Sequence, residues 1–249
     1  MNNPVLPGAQ EELIKAVVAT GKPTIVVLLH ARPFCIPWLK EKVPAIVDAF
    51  CPGEQQGNAI VDVLFGKINP SGHLPVTLVR SAGAIPTTYD YKPDARGTTG
   101  YMGSKTNPGC GYVYDSPLPL WPFGFGLSYT TFEFGKLSVL TPQVPAKDGL
   151  LKFTIEAANT GTLAGKTVPQ IYWRDNGAQI APPEKRLLRF AKVELQPGER
   201  RTLSFEVPVA EFRQLTADKK WILDPRNIEL QLGSNAESIQ QTNSFDITD

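Results

Sequence analysis

Residues 21–66 read GKPTIVVLLHARPFCIPWLKEKVPAIVDAFCPGEQQGNAIVDVLFG, and their pattern decides the fold class of the first part of the chain. TIVVLLH is a continuous β-branched and aliphatic run, as in a strand covered on both faces. IPWLKEKV follows as a short helix and AIVDAF as a second buried strand. EQQGNAIVDVLFG then forms a helix with Ala59, Ile60, Val63 and Leu64 on one side. Upstream, PGAQEELIKAVVATG places Leu13, Ile14, Val17 and Val18 on one helical face, with Pro7 before the start and Gly21 after the end. The order helix-strand-helix-strand-helix predicts a parallel sheet with helices on its faces.

Only two convincing parallel strands are present, and a sheet of that kind needs more strands and cover on both faces to be stable. The expectation is that further polypeptide precedes residue 4 or docks there.

Downstream the grammar changes. Residues 87–129 are dense in Gly, Pro and Tyr with no sustained period; a stretch this long is functional or a linker, and its aromatics suggest a packed connector. From Thr131 onward FEFGKLSVL, LKFTIEAANTG, GKTVPQIYWRD, KRLLRFAKVELQPGE, RRTLSFEVPV and NIELQLGS alternate apolar and polar residues between turn signals. Short strands at this spacing predict an antiparallel sandwich of immunoglobulin-like type. The fold class is therefore α/β followed by all-β. The expected divisions are a partial α/β sandwich domain over 1–86, an aromatic connector over 87–130 and a β-sandwich over 131–249.

The 249 residues are 42% hydrophobic and 20% charged with a net charge of +1, which suits a packed core and offers no basic cluster for nucleic acid. No apolar run approaches the roughly 20 residues of a membrane span. The first residues, MNNPVLPGAQEELIKAV, lack the basic-then-apolar order of a secretory signal. Three cysteines (Cys35, Cys51, Cys110) in no CxxC pattern read as buried or free thiols, and with only His30 and His73 no metal site is expected. No cofactor motif is complete: PFGFGLS, residues 122–128, resembles a phosphate loop but lacks the Lys-Ser/Thr ending and precedes a strand.

The candidate chemistry lies at loop positions. Glu54 follows a strand where ligands of α/β sheets sit, yet a helix-start carboxylate explains it without catalysis. Asp62 reads as solvent-facing or as a polar partner to a loop. Arg32, in HARP at the end of the first strand, could hold a sugar hydroxyl, an anion or a carboxylate, or pair with a neighbouring loop. His30 reads as a hydrogen-bonded core residue. Asp90, Asp94 and Asp115 sit among tyrosines, as in a sugar-contacting surface or in solvated turns. Nothing in their spacing singles out the carboxylate pair that a glycosidase needs. Tyr172 and Trp173 are adjacent on one strand, so they point to opposite faces and cannot form a flat sugar platform together.

LPGAQEELIKAVVATGKPTIVVLLHARPF, PGEQQGNAIVDVLFGKINPSGHLPVT, PLWPFGFGLSYTTFEF and LLRFAKVELQPGERRTLSFEV resemble the C-terminal portion of glycoside hydrolase family three, from about Leu6 to the end. That family contains β-glucosidases and β-xylosidases. The resemblance implies a parent with an N-terminal (β/α) barrel carrying a nucleophilic aspartate, then an α/β sandwich, then a fibronectin type III-like domain. It also implies an acid/base glutamate shortly before the LPGAQ helix. This chain would then hold no catalytic residue. It would supply a substrate-binding rim from Arg32, Glu54, Asp90 and Arg96, with an oligosaccharide or β-glycoside as substrate. Its other partner would be the missing barrel and sandwich half, in a periplasmic or secreted parent. The sequence departs from the family at two places: His30-Ala31 stands where Asn-Gly is usual before Arg-Pro, and Phe50-Cys51 where Trp-Tyr is usual before Pro-Gly. These departures bear on substrate preference more than on fold. Two further readings stay open: a carbohydrate-binding or bracing module, and a remnant that folds only with a partner.

Overall fold

The computed structural model describes residues 4–92, 116, 118–178 and 182–249. These fall into two compact units, the first drawn from 1–68, 76–87 and 96–122, the second from 69–75, 88–95 and 123–249.

In the first unit, α1 (Gln10–Ala19), β1 (Ile25–Leu29), α2 (Pro37–Lys42), β2 (Ala45–Phe50) and α3 (Gln56–Leu64) follow in the expected order. Pro37 opens α2, where a missing N–H costs nothing. Strands β1 and β2 pair in parallel, Ile25 opposite Ala45 through Leu28 opposite Asp48, with a register shift before Leu29 meets Phe50. The expected cover on both faces is not found among the described residues. Val26 and Leu28 are buried, whereas Ile25 and Leu29 on the other face are 52% and 54% exposed. Strand β2 has no buried residue, and α1 leaves Leu13 and Val17 in solvent. The two strands and three short helices described leave one side of this sheet open.

The second unit is all β. Its strands are β3 (Phe132–Phe134), β4 (Ser138–Val139), β5 (Gln143–Pro145), β6 (Leu150–Asn159), β7 (Gly165–Thr167), β8 (Gln170–Asp175), β9 (Arg186–Phe190), β10 (Val193–Leu195), β11 (Arg200–Pro208), β12 (Gln214–Leu215), β13 (Trp221–Ile222), β14 (Arg226–Gly233) and β15 (Ile239–Thr248). One sheet runs β11-β6-β3 with β4 also on β6, and a five-stranded sheet runs β5-β15-β14-β8-β9. Their inner faces meet in one core, where Leu151, Phe153, Ile155 and Val207 pack with Ile171, Trp173, Ile228, Leu230 and Phe245. Trp173 and Tyr172 do point to opposite faces, and both are buried.

Two departures from the sequence expectation have clear causes. The run GKTVPQIYWRD divides at Pro169, which has no N–H for a ladder; β7 pairs with β10, while β8 joins the larger sheet. Strand β15 has no counterpart among the expected strands, because two of its inward positions are amides. Gln241 accepts from the Leu137 N–H at 2.9 Å and donates to the Phe134 and Gly135 carbonyls, and Asn243 donates to the Leu137 carbonyl at 3.1 Å. The amides satisfy the backbone of the irregular segment between β3 and β4, so they sit half-buried on the inner face without being apolar.

One ion pair closes an end of the core. Arg226 Nε donates to Asp175 Oδ2 at 2.7 Å with both side chains almost wholly buried, and the guanidinium also reaches the Asp224 and Phe212 carbonyls. Removing one member strands the other charge. Arg226→Met should cost about 3–5 kcal/mol in denaturant unfolding followed by near-UV circular dichroism. A loss under about 1 kcal/mol would show that water reaches Asp175.

Candidate functional site

The carboxyl ends of β1 and β2 are where an α/β sheet presents its loops to a ligand. Here the backbone N–H of His30 donates to the Phe50 carbonyl at 3.0 Å, and His30 Nε2 lies 2.9 Å from Asp48 Oδ1. The same carboxylate oxygen accepts from the Phe50 N–H at 3.4 Å. The Cys51 thiol donates to the His30 carbonyl at 3.4 Å. Phe34 meets the imidazole edge-on at 5.1 Å and Phe50 packs against it at 4.8 Å. His30 is thus the hydrogen-bonded interior residue its place in the strand predicts, but its Nδ1 is buried with no partner among the described residues. Such an atom forfeits about 1–3 kcal/mol of hydration. Phe50 adds strain, with φ of 50° in the left-handed region, which a bulky side chain disfavours. Strain and unpaired polar atoms gather at functional sites.

The four rim residues are distributed as follows. Arg32 is exposed, its guanidinium 5.8 Å from the Phe34 ring centroid; it forms no ion pair among the described residues, so the neighbouring-loop alternative is not realised there. Glu54 lies in the turn before α3, one residue ahead of the N-cap Gln55. It is exposed and outside the helix, so it is no first-turn carboxylate as the sequence suggested, and Gln55 itself makes no side-chain cap. No hydrogen bond or ion pair joins Arg32 to Glu54 among the described residues. Asp90 belongs to the second unit, half-buried between Tyr89, which stacks on Phe123 at 4.2 Å, and Tyr91, whose carbonyl accepts from the Glu184 N–H at 2.9 Å. Arg96, Asp94, Asp115 and Cys110 lie outside the described residues. Asp62 pairs with Lys67 at 3.1 Å. The residue that sequence reasoning passed over is Asp48, and its signal was a lone carboxylate inside the apolar AIVDAF.

A separate concavity of about 400 Å³ opens beside the start of α1, lined by Val5, Glu11, Cys35, Trp38, Arg80 and Ser81. Burial pushes the Cys35 thiol up from its ordinary range, so this cysteine is a poor nucleophile.

The glycine-rich PFGFGLS segment is used for close approach. In the second unit it pairs with the segment around His73: Gly124 N–H donates to the Leu74 carbonyl and Leu74 N–H to the Phe125 carbonyl, both at 2.8 Å. His73 Nδ1 donates to the Gly124 carbonyl at 2.6 Å, which also accepts from Gln170 Nε2 at 2.9 Å. Gly124 has φ of 80°, and a Cβ there would lie under 3.0 Å from the Gln170 amide; one on Gly126 would meet the Gly72 backbone as closely. Asn69 completes the clasp, accepting from Ser128 Oγ at 2.8 Å and Tyr129 N–H at 2.9 Å while donating to the Ala164 carbonyl at 3.0 Å.

A family model described as the glycosyl hydrolase family 3 C-terminal domain matches residues 1–129, and one for a fibronectin type III-like domain matches residues 167–236. The chain belongs to glycosyl hydrolase family 3. Among its family relatives, a β-xylosidase of Formosa agariphila is 36% identical over 231 residues, covering 93% of this chain and 31% of its own length. A periplasmic β-glucosidase of Salmonella typhimurium is 36% identical over 246 residues, or 98% of this chain and 32% of its own length. The solved β-glucosidase of Erythrobacter marinus superposes with a TM-score of 0.89 at 39% identity, over 99% of this chain and 31% of that one. The Listeria innocua β-glucosidase in complex with glucose gives 0.90 at 29% identity, over 99% and 34%. The chain therefore spans about a third of the length of these relatives.

Two outcomes test the clasp. Gly126→Ala forces the Gly72 backbone aside and should lower stability by about 1–3 kcal/mol; a thermal scan that shows no change would mean the segment yields freely. His73 is held below the usual histidine range, chiefly by burial and further by Lys192, against the opposing bond to the Gly124 carbonyl. The unfolded chain therefore takes up the proton first as pH falls below about 6.5. Stability from this group is complete above that pH and is lost as pH drops through it. The melting temperature of His73→Asn should fall less than the parent's between pH 7 and 5.

Proposed function

We propose that this chain is the C-terminal part of a retaining exo-β-glycosidase of the β-glucosidase type, and that alone it does not turn substrate over. One observation carries this reading: β1 and β2 expose an apolar face at a sheet edge while the chain spans about a third of its glycosidase relatives. In the whole enzyme an aspartate on the upstream barrel would attack the anomeric carbon and expel the leaving group. A carboxylic acid would protonate the departing oxygen, and its conjugate base would then activate water to release the sugar. Both groups are proposed to lie outside this chain. What these residues contribute is position: Arg32 and Glu54 on loops beside the crevice, Asp90 and Arg96 on the connector. Residues 1–86 would form half of the α/β sandwich, 87–130 the connector and 131–249 the terminal β domain.

The burial of both Tyr172 and Trp173 favours bracing over glycan binding for that last domain, since neither ring is free to stack on a sugar from β8. Aryl β-glucosides and β-xylosides offered to the purified chain should remain intact. Mixed with the upstream part of the polypeptide, the chain should restore hydrolysis. Turnover by the chain alone would sink the proposal that nucleophile and acid/base lie elsewhere, and sugar binding that persists without the upstream part would favour a binding module.

A further inference from the structure

The loops leaving β1 and β2 are joined by an unbroken line of contacts. Asp48 holds the His30 imidazole at 2.9 Å, His30 packs edge-on against Phe34 at 5.1 Å, and the Arg32 guanidinium stands 5.8 Å from the Phe34 centroid. On the other side the imidazole rests on Phe50 at 4.8 Å, and the Cys51 thiol closes on the His30 carbonyl at 3.4 Å. The ends of the two strands therefore meet in space. His30 and the Phe50-Cys51 pair form one packed unit, although 20 residues separate His30 from Phe50 in the chain. Asp48 fixes two things with one oxygen, the imidazole edge and the backbone N–H of the left-handed Phe50. Because Nδ1 has no partner among the described residues, the ring's orientation rests on Asp48 and the two aromatic walls. An apolar residue would fill this space without leaving a nitrogen unpaired, so packing alone does not account for the imidazole.

We propose that His30 and Asp48 are positioning residues: through Phe34 they set where Arg32 stands at the carboxyl edge, and with it the grip of that edge on the hydroxyls of a β-glycoside. This rests on the glycosidase reading above. Arg32 is the group that touches sugar, while His30 and Asp48 act through it.

The test uses the full polypeptide, barrel included. His30→Asn is the informative variant, since the carboxamide is smaller than the imidazole and can still donate a hydrogen bond to Asp48, so the fold should tolerate it. It should lower kcat/KM for an aryl β-glucoside about tenfold with little change in melting temperature. Arg32→Ala should lower it as well, and the double variant should be no worse than Arg32→Ala alone, because one effect acts through the other. Adding Phe50→Trp and Cys51→Tyr to His30→Asn should bring the rate back to within about twofold of the parent. Alkylation of Cys51 by iodoacetamide reads the loop geometry without any turnover, and His30→Asn should change its rate several-fold. Additive losses from His30→Asn and Arg32→Ala would overturn the positioning role, as would an unchanged kcat/KM with an unchanged Cys51 rate. If the parent polypeptide hydrolyses no glycoside, the glycosidase reading falls and the sugar role with it. The loop coupling then stands or falls on Cys51.

Discussion

The second unit depends on how closely backbone can approach the carboxamide of Gln170. That side chain is buried at the start of β8; it donates to the Gly124 and Ser234 carbonyls and accepts from the Tyr172 hydroxyl at 2.6 Å. Each polar atom of the amide is thereby used, which is the condition for burying it at all. The geometry leaves no room for a β-carbon at Gly124. It also draws the residue 69–75 segment into the β unit, through Leu74, His73 and Asn69. The stretches NPSGHLP and PFGFGLS are thus complementary halves of one clasp.

The described residues of the first unit leave much apolar surface uncovered. Phe65 is 84% exposed, Leu13 65%, and Ile25 and Leu29 more than half. Parallel strands in soluble proteins are covered on both sides because both faces are apolar, and among the described residues one face here is not. The polar features at the carboxyl edge make sense in the same terms. A buried imidazole with one nitrogen unpartnered among the described residues and a phenylalanine in the left-handed region cost free energy that a complete packing or a functional site must offset.

Much of this was legible in the chain. The order of helices and strands, the change of grammar near residue 130, the opposite faces of Tyr172 and Trp173 and the interior role of His30 all follow from periodicity and residue type. The division at Pro169 and strand β15 did not. A strand with Gln241 and Asn243 among its inward positions hides from a hydrophobic pattern, because its amides are held half-buried for the sake of a distant backbone. Glu54 illustrates a smaller gap: its helix begins two residues later than the sequence suggests, and two residues separate a first-turn carboxylate from a free one.

The sequence by itself determined the class of each half and the family, since hydrophobic period and turn chemistry are local and motifs are read in line. Only the tertiary structure decided which residues meet. Asp48 reaches His30 because a parallel ladder sets their strands side by side, and Cys51 reaches the His30 carbonyl because a register shift turns the chain at Phe50. Gly124 suits glycine because its φ lies at 80° and the Gln170 amide, far along the chain, occupies the space beside it. Each of these is a contact between segments remote in sequence, and a one-dimensional pattern holds no distance between them.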